Sequence, residues 1–571
     1  MAITIGLNAN HADSSICVFD NNKLIFALEE ERINRIKHWA GVPLESIRYA
    51  LNYCKINPNE INNITLNTNP FSNIDKKISY YLRNYIFSQK SNEIFKRQNL
   101  KFKIKNIINE FLDNSKINYR YIDHHLSHLA SAFYPSKFDN AVGISIDGFG
   151  DFCSCTIAEC SNNKIKIIDK TYFPNSIGIF YEAITQFIGF KKYGEEYKMM
   201  GLSSYGKSVY SELLLENLFL KNDTSRLNID FFNHTKRNYS YSYSGSPVQN
   251  KILNDKLYNA LNLKENDISS NKEIQCDLAA SAQKIFEKYL IKKMEKISKK
   301  KFSKNIVYAG GCALNSLANK KIFNYFDNVF IPYAPGDAGG AIGSALYNLS
   351  SRYKNFENLD TPYLGPGFSR EYIHEQIKQF SFSKKAKIKS FNNFDNLIEE
   401  VTSLLIKKSV IGLFNGRMEF GARALGNRSI IANPIPKDMK DIINQKIKKR
   451  ENFRPFAPAI LIEEKDKWFS SGRSNPYMSN VEVILNDKRS IIPAVTHFDG
   501  TGRVQSVSKN TNKFFYLLIK NFFKQTGVPI LLNTSFNENE PIVFEPYHAL
   551  SCYDRTEIDA IVLENFLIIN E

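Results

Sequence analysis

Two histidines on a predicted helix and an aspartate after a predicted strand are residues whose types and spacing suit metal chemistry. His124 and His128 are four residues apart, so a helix would place both imidazoles on one face, within reach of one ion. The apolar run 141–146 predicts a buried strand that ends at Asp147 beside glycines, where α/β folds place ligands. Two imidazoles and a carboxylate suit iron(II), manganese or zinc. For the histidine pair alone, the alternative is a solvated helix face.

Two glycine-rich turns follow predicted buried strands later in the chain. Residues 305–308 lead into GGCALN, and residues 329–333 lead into APGDAGGAIGSAL. Glycine in such turns lets backbone N–H groups and a helix N-terminus approach phosphate or adenine closely. Asp337, inside the second turn, is a natural fourth metal ligand, because a glycine helix cap alone leaves this carboxylate unexplained.

A cluster of cations between residues 411 and 461 is interleaved with glycines and with apolar aromatic residues. Phosphate pockets need cations held on a rigid backbone, whereas solvated charge runs lack this glycine and aromatic context. The sequence therefore predicts a site for several phosphate groups. Its candidate residues are Arg417, Arg423, Arg428, Lys448, Arg450 and Arg454, with His497, Arg503, Asn533 and Ser535 from later segments.

The composition limits the classes of partner. The formal net charge of +17 comes from 75 Lys and Arg against 58 Asp and Glu, but the basic residues are spread along the chain. This pattern favours a lysine-rich surface and sites for small anions, and makes nucleic acid an unlikely partner. The 8 cysteines show neither disulfide nor zinc spacing, which predicts a reducing cytoplasm. Without a signal segment or a membrane-spanning apolar run, no membrane association is expected.

A repeated pattern indicates the architecture. Residues 2–28 and 143–169 each read as strand, small polar loop, strand, Asn-Asn turn and strand. Two copies of one βββ unit predict duplicated halves around a cleft, as in the actin, Hsp70 and sugar-kinase superfamily. We therefore expect an α/β protein with an actin-like domain at 1–350, a linker at 351–370 and a second α/β domain at 371–571.

Ordered motifs then reveal a family resemblance. The segments EEERINRIKH, HHLSH, EYKMMGLSSYG, GGCALN, PGDAGGAIG, GRMEFGARALGNRS, FRPFAP, DGTGRVQ and NTSFN occur in this order. With them the chain resembles, end to end, the O-carbamoyltransferases that modify antibiotics and Nod factors. The resemblance implies an N-terminal domain similar to the tRNA threonylcarbamoyl transferase and a YrdC-like C-terminal domain. It also implies that His124, His128, Asp147 and Asp337 bind metal, with iron(II) preferred over manganese or zinc.

The same resemblance implies roles for residues in both domains. Arg423, Lys448, Arg454 and Arg503 would hold ATP, with its magnesium, and carbamoyl phosphate. Residues expected to bind carbamoyl adenylate in the N-terminal cleft are Lys37, Glu196, Lys198, Gly310, Gly311, Asn315 and Gly339. The family's first turn reads His-Asp-x-Ser, whereas this chain has Ala12 to Ser15 preceded by His11. His11 and Asp13 are thus the candidates for deprotonating the acceptor.

The implied reaction has two steps. Carbamoyl phosphate and ATP would give carbamoyl adenylate, and the carbamoyl group would then pass to a hydroxyl of a small natural product or saccharide. Two alternatives remain open: a carbamoylating enzyme that modifies tRNA or nucleosides, and an actin- or Hsp70-like ATP-binding module without transfer chemistry. Neither the acceptor nor the oligomeric state is indicated, because acceptor contacts would come from the weakly patterned stretches 45–118 and 207–275.

Overall fold

The structure is a computed structural model, and it describes residues 2–85, 91–236 and 245–570 of the 571-residue chain. Residues 86–90 and 237–244, in the two stretches expected to contact the acceptor, lie outside the described residues. The chain divides into two compact units, Met1–Asp360 and Thr361–Glu571. This division falls inside the segment 351–370 that we expect to be the linker.

The N-terminal unit alternates strands and helices. Its strands are β1 (Ile3–Asn8), β2 (Ser15–Asp20), β3 (Lys23–Glu29), β4 (Ile61–Leu66), β5 (Asn118–Tyr121), β6 (Asn140–Gly150), β7 (Cys153–Ser161), β8 (Lys164–Tyr172), β9 (Asn305–Ala309) and β10 (Asn328–Phe330). Its helices are α1 (Glu31–Asn34), α2 (Leu44–Cys54), α3 (Ile74–Tyr85), α4 (Ser91–Leu112), α5 (His124–Phe133), α6 (Ile177–Phe187), α7 (Glu196–Leu202), α8 (Ser211–Leu218), α9 (Lys256–Leu261), α10 (Glu265–Ser270), α11 (Lys272–Ser298), α12 (Ser316–Asn319) and α13 (Gly339–Leu349).

The ten strands of this unit form two sheets with the same plan. The first has the order β3-β2-β1-β4-β5, and the second has the order β8-β7-β6-β9-β10. In each sheet the first three strands of the copy pair antiparallel, and the last two run parallel to the first. The predicted duplicated actin-like fold is confirmed, because strand order and direction repeat as well as sequence pattern.

Helices α5 and α13 bring the candidate metal ligands together. They pack with almost no space between their backbones: a Cβ on Gly343 of α13 would lie 1.8 Å from the carbonyl oxygen of Ser127. Ser344 also shares a buried hydrogen bond of 2.9 Å with Thr65 of β4. Small residues in α13 therefore hold the turn that carries Asp337 directly against the helix that carries the histidines.

The C-terminal unit is a second α/β domain, as expected. Its strands are β11 (Ala386–Ser390), β12 (Ile411–Phe414), β13 (Arg428–Ala432), β14 (Ala457–Leu461), β15 (Glu482–Val483), β16 (Thr501–Gly502), β17 (Gln505–Val507), β18 (Ile530–Ser535), β19 (Ala560–Leu563) and β20 (Phe566–Asn570). Its helices are α14 (Arg370–Gln379), α15 (Phe394–Ile406), α16 (Met439–Ile442), α17 (Asn486–Arg489), α18 (Lys513–Thr526) and α19 (Pro546–Arg555), and a π-helical turn spans Ile443–Ile447.

One mixed sheet of eight strands forms the centre of the C-terminal unit, in the order β11-β20-β19-β12-β13-β18-β14-β17. Apolar residues of the sheet pack with those of α15 and α18 in one continuous core. Helix α18 begins where the Asn512 side chain accepts a hydrogen bond from the Phe515 N–H and ends at Gly527 in the left-handed region, with φ of 73°. The predicted phosphate-binding residues lie in the segments that follow β12, β13 and β15, in the turn before β17, and in β18 itself.

Among the helices of the described ranges, none combines the length and the apolar character needed to cross a bilayer.

Candidate functional site

The two histidines lie at the start of α5, where their neighbours fix the helix. The Asp123 side chain caps this helix by accepting from the backbone N–H groups of His125 and Leu126. His124 and His128 are 1% and 0% exposed, and their Nε2 atoms are 3.0 Å apart. The predicted helical spacing is therefore realised, with both imidazoles buried and directed at one point rather than at solvent.

Two carboxylates complete the group. Oδ2 of Asp147 lies 2.9 Å from Nε2 of His128 and 3.5 Å from Nε2 of His124. Oδ1 of Asp337 lies 3.4 Å and 3.5 Å from the same two nitrogens. Strand β6 continues to Gly150 instead of ending at Asp147, but its regular pairing with β7 breaks between Ile146 and Gly150. The break frees Asp147 to face the histidines.

The donor set fits a divalent metal ion. The four ligand atoms all lie within 4.8 Å of one another, and the separations of 2.9 to 3.5 Å match the ligand–ligand edges around an ion with bonds of about 2.0 to 2.2 Å. Oδ2 of Asp147 and Oδ1 of Asp337 are buried and have no hydrogen-bond partner among the described residues. Buried carboxylate oxygens of this kind ordinarily need a cation.

The electrostatics of the cluster also favour a bound cation. Burial lowers the pKa of His124, but the close, negatively charged carboxylates of Asp147 and Asp337 outweigh burial and raise that pKa well above its ordinary value. Burial raises the pKa of Asp147, but the two histidines lower it well below its usual range. The site thus favours positive charge opposite its carboxylates, and a metal ion would supply that charge while the imidazoles stay neutral.

Asp151 supports the cluster, a role that the sequence did not reveal. Its buried carboxylate accepts from the backbone N–H of His124 at 2.9 Å and from that of Asn69 at 2.8 Å. It also accepts from the Thr68 hydroxyl at 2.8 Å and from Lys101 at 2.7 Å. One side chain therefore ties the first residue of α5 to the end of β4 and to α4. The acidic residue after the glycines was visible in DGFGD, but its partners are distant in sequence.

The two candidate bases in the first turn, His11 and Asp13, contact different residues. The half-buried His11 ring packs on the ring of His124, with centroids 4.7 Å apart. Burial, followed by the charge of His124, lowers the pKa of His11 to about 4, so its imidazole is neutral. Asp13 instead accepts a hydrogen bond from Nδ1 of His38 at 2.8 Å. Of the two, His11 lies beside the metal cluster.

His38 is a residue of this site that sequence reasoning missed, although it closes the motif EEERINRIKH. Burial lowers its pKa, but Asp13, Glu31 and Glu196 outweigh burial and raise that pKa to about 9. A Cβ on Gly194 would lie 2.3 Å from Nε2 of His38, so the loop before α7 closes over the imidazole. The protonated ring therefore links the first turn to this loop.

The residues expected to bind carbamoyl adenylate lie in the N-terminal unit in varied settings. A Cβ on Gly310 would lie 2.2 Å from the Ile146 carbonyl oxygen, and one on Gly339 would lie 1.9 Å from that of Ala334. A Cβ on Gly311 would lie 3.0 Å from Oδ1 of Asp147, so this glycine borders the metal cluster. Backbone packing alone therefore requires glycine at the first two positions, whereas Gly311 faces the site.

The polar members of the same set are mostly engaged within the protein. Asn315 exchanges two hydrogen bonds with Gln283, whose Oε1 also accepts from the Tyr181 hydroxyl at 2.8 Å. Lys198 donates to Glu195 at 2.6 Å, and Lys37 is exposed. Burial raises the pKa of the half-buried Glu196. Gln283 and Tyr181 hold the Asn315 side chain in place, and no motif in the sequence marked them.

In the C-terminal unit, three arginines form the centre of the predicted phosphate pocket. Burial, and then the positive charges of Arg423 and Arg450, lower the pKa of Arg503 well below its ordinary value. Nε of Arg503 is buried without a hydrogen-bond partner among the described residues. Arg450 is held by Asn444, which accepts from its Nε at 2.7 Å, and its guanidinium lies 4.9 Å from the centroid of the Phe456 ring. Converging guanidiniums of this kind create a field that favours an anion.

The other predicted members surround this centre or support it. Lys448 is 1% exposed and donates to the Ser535 carbonyl at 2.6 Å and to the Asn537 carbonyl and side chain at 2.8 and 2.7 Å. It therefore shapes the loop after β18. Arg454 pairs with Glu451 at 2.6 Å.

Two further predicted residues present polar atoms without partners. Burial lowers the pKa of His497 to about 4, and its Nε2 has no hydrogen-bond partner in the described chain. Oδ1 of Asn533 is likewise buried and unpartnered within the described ranges, while its amide donates to Ala424 and Gln505. Arg417, by contrast, donates to the carbonyls of Leu364 and Gly365.

The structure also identifies the scaffold of this pocket. Arg428 is fully buried, its guanidinium carbon lies 3.6 Å from the centroid of the Phe414 ring, and it donates to backbone carbonyls. The buried Glu419 accepts from the backbone N–H groups of Leu425 and Asn427, each at 2.7 Å. These two charged residues hold the GARALGNRS loop. Their hydrogen-bond partners in the fold distinguish Arg428 from the other arginines that are predicted to bind phosphate.

Fold and side-chain clusters define a two-unit α/β protein of the actin-like class. Family models described as carbamoyltransferase N-terminus and carbamoyltransferase C-terminus match residues 3–346 and 402–570. The chain therefore belongs to the carbamoyltransferase family, and the protein is a carbamoyltransferase, as the ordered motifs predicted.

Similar proteins cover the chain from end to end. An uncharacterized protein of Synechocystis is 34% identical over 100% of this chain and 97% of its own length. Nodulation protein NolNO of Sinorhizobium fredii is 33% identical over 98% of this chain and 79% of its own length. Among solved structures, full-length HypF in the phosphate- and nucleotide-bound form shares 12% identity, with a TM-score of 0.32 over 62% of this chain and 47% of that chain.

Proposed function

We propose that the protein is an ATP-dependent O-carbamoyltransferase that makes carbamoyl adenylate and transfers its carbamoyl group to a hydroxyl of a small molecule or saccharide. The observation that carries this proposal is Arg503, whose buried Nε has no hydrogen-bond partner among the described residues and whose pKa is lowered by burial and then by the positive charges of Arg423 and Arg450. Such a cluster of positive charge favours a polyanion, and ATP with carbamoyl phosphate supplies one. The 8 cysteines, all free thiols, fit a reducing cytoplasm.

The first step belongs to the C-terminal unit. Carbamoyl phosphate loses its phosphate to water, and an oxygen of the resulting carbamate attacks the α-phosphorus of ATP, with magnesium on the phosphates. The bond from the α-phosphorus to the bridging oxygen breaks, and pyrophosphate leaves. The arginines offset negative charge that builds on the phosphate oxygens, while Arg428 and Glu419 keep their loop rigid.

The second step belongs to the N-terminal unit. His124, His128, Asp147 and Asp337 would hold a divalent ion, and a Lewis acid bound there would supply polarisation of the carbamoyl carbonyl. With nitrogen and oxygen donors and no thiolate, iron(II) or manganese suits the site better than structural zinc. The neutral His11 takes the proton of the acceptor hydroxyl, the hydroxyl oxygen bonds to the carbamoyl carbon, and AMP leaves.

Two variants separate the steps. Arg503→Ala should lose pyrophosphate release from ATP and labelled carbamoyl phosphate, yet still transfer from supplied carbamoyl adenylate. Asp337→Asn should still release pyrophosphate but should lose transfer from supplied carbamoyl adenylate. The exposed Arg370, on α14, gives a matched control, and Arg370→Ala should keep both steps. The division of labour is wrong if Arg503→Ala releases pyrophosphate at the parental rate or if Asp337→Asn still carbamoylates an acceptor.

The net charge of +17 favours one other candidate, a carbamoylating enzyme that modifies tRNA. Binding of unmodified tRNA across a series of salt concentrations tests it, because each phosphate contact steepens the salt dependence. A steep dependence accompanied by label transfer to the RNA would support the tRNA enzyme. Weak binding, with label found on a small molecule, supports the proposal above.

A further inference from the structure

An aromatic surface lies next to the metal cluster, and neither transfer step uses it. We call six residues the aromatic surface: Tyr80 and Tyr81 from α3, Phe149 at the end of β6, Phe152 between β6 and β7, Phe173 after β8, and His234. Phe173 is its centre, with ring centroids at 5.0 Å from Phe149 and Tyr80, 5.2 Å from Phe152 and 5.7 Å from His234.

The aromatic surface is not part of a closed core. All six side chains are half-buried, whereas core aromatic residues of the same unit such as Phe180 and Phe219 are 0% and 1% exposed. Its members come from distant parts of the chain, including the weakly patterned stretches that carry Tyr80 and His234. Half-buried rings gathered from several loops are typical of ligand sites, because they leave apolar faces open to a flat partner.

One loop joins the aromatic surface to the metal cluster. A Cβ on Gly150 would lie 1.9 Å from the His124 ring, so this residue touches a metal ligand while Phe149 and Phe152 face the aromatic surface. Asp151 and Phe152 both have positive φ, 50° and 69°, a conformation that a bulky side chain rarely adopts. Asp151 is held there by its four hydrogen bonds, including that to His124. The strained loop therefore fixes the rings relative to the reacting centre.

His234 gives the aromatic surface a directed polar atom. Its Nε2 lies 3.0 Å from the carbonyl oxygen of Pro174, and a carbonyl only accepts, so Nε2 carries the proton. Nδ1 is then an acceptor, and it is buried with no hydrogen-bond partner among the described residues. Burial also lowers the pKa of His234 to about 4, which keeps the ring neutral. Nδ1 can thus accept from a ligand hydroxyl.

Charges beside the aromatic surface limit the ligand further. Asp151 pairs with Lys101 and Asp123 pairs with Lys170, so these two carboxylates are already neutralised. Lys76 lies 5.8 Å from the Tyr172 ring, and Lys77 donates to the Pro70 carbonyl. The segments that form the aromatic surface thus bring lysines rather than spare carboxylates, which disfavours a polycationic ligand.

We propose that the aromatic surface binds the acceptor, and that this acceptor presents an uncharged, hydroxyl-bearing ring. The apolar face of the ring stacks on Phe149, Phe152 and Phe173, and one of its hydroxyls donates to Nδ1 of His234. The C–H face of a pyranose and a phenol-like ring share this chemistry. The inference rests on the proposed transfer function for its biological meaning, but binding of the ring is independent of both chemical steps.

Binding is measured without ATP or carbamoyl phosphate. Saturation-transfer NMR titrations use methyl β-glucopyranoside, p-cresol and 2-deoxystreptamine as probes of a neutral sugar, a phenol and a diamine. We expect the full-length protein to bind at least one neutral ring, with signal transfer strongest to its C–H protons, and to bind the diamine more weakly. Binding of neither neutral ring, or tighter binding of the diamine, overturns the proposal.

Variants locate the binding. His234→Phe keeps an aromatic ring and removes the acceptor, and Phe149→Leu keeps an apolar side chain and removes the flat face; each should weaken binding about tenfold. Tyr53→Ala changes another half-exposed aromatic residue of the same unit and should bind as the parent does. Parental affinity in both test variants overturns the assignment.

Pyrophosphate release separates this inference from the proposed function. It should stay at the parental rate in His234→Phe and Phe149→Leu, because both residues lie in the N-terminal unit. If the protein releases no pyrophosphate from ATP and carbamoyl phosphate but still binds a neutral ring, the proposed function fails and the aromatic site stands. A variant that loses both pyrophosphate release and ring binding has misfolded. Ring binding by the other of the two variants then tests the proposal.

Discussion

Substitution of Gly150 is the sharpest test of the metal cluster, because it displaces a candidate metal ligand without replacing that ligand. A Cβ at this residue would lie 1.9 Å from Cδ2 and 2.6 Å from Nε2 of His124, whereas ordinary contact begins at 3.4 Å. In Gly150→Ala the imidazole must therefore retreat by about 1.5 Å, since α5 is packed tightly against α13. Metal sites tolerate ligand displacements of about 0.2 Å.

The expected effect is a large loss of metal affinity. Disturbing the outer-shell partners of metal ligands typically costs about 10- to 100-fold in affinity, and displacing a ligand itself should cost at least as much. Overpacking should also destabilise the N-terminal unit by about 1 to 3 kcal/mol. Chelator competition followed by metal analysis measures the affinity, and thermal unfolding measures the stability.

Gly148→Ala is the matched control in the same loop. Its added Cβ would meet only Cδ1 of Ile179 at 3.9 Å, so it should keep parental metal affinity and transfer activity. Pyrophosphate release should be unchanged in both variants, which shows that the C-terminal unit is folded, and the thermal unfolding transition shows whether the N-terminal unit is folded. If Gly150→Ala binds metal as tightly as the parent does, His124 is not a ligand and the four-residue assignment is wrong.

Two further predictions concern the first turn. His11→Ala should slow carbamoyl transfer by about 10²- to 10⁴-fold and leave pyrophosphate release unchanged, because His11 packs on His124; unaltered transfer would show that another group takes the acceptor proton. The folded-state pKa of His38, about 9, lies above its ordinary value of 6.5. The protonated His38 ring therefore stabilises the folded protein fully below pH 6.5, and this stabilisation disappears as pH rises through about 9. Denaturant unfolding across this pH range should show the loss of stability in the parent and not in His38→Gln. An NMR titration that gives the His38 ring a pKa near 6.5 would contradict this prediction.

The sequence by itself determined the duplicated fold and the family. Strand, loop and turn patterns at 2–28 and 143–169 are local, and nine ordered motifs leave little room for a chance match. Spacing also singled out His124 and His128, because the period of a helix is a property of the backbone. The same holds for Asp147 and Asp337, since glycine turns after buried strands mark the cleft edge of an α/β sheet. Their metal-binding role stays a prediction.

Only the tertiary structure decided which charged residues are bonded into the scaffold and which remain candidates to face a ligand. In sequence, Arg428 looks like Arg503, yet one is buried over Phe414 and bonded to carbonyls, and the other has a buried Nε without a partner among the described residues. Asp151 acts on His124 through a hydrogen bond that spans 27 residues. The aromatic surface likewise unites residues from 80 to 234. Burial and hydrogen-bond partners depend on segments that meet only when the chain folds, so local patterns cannot specify them.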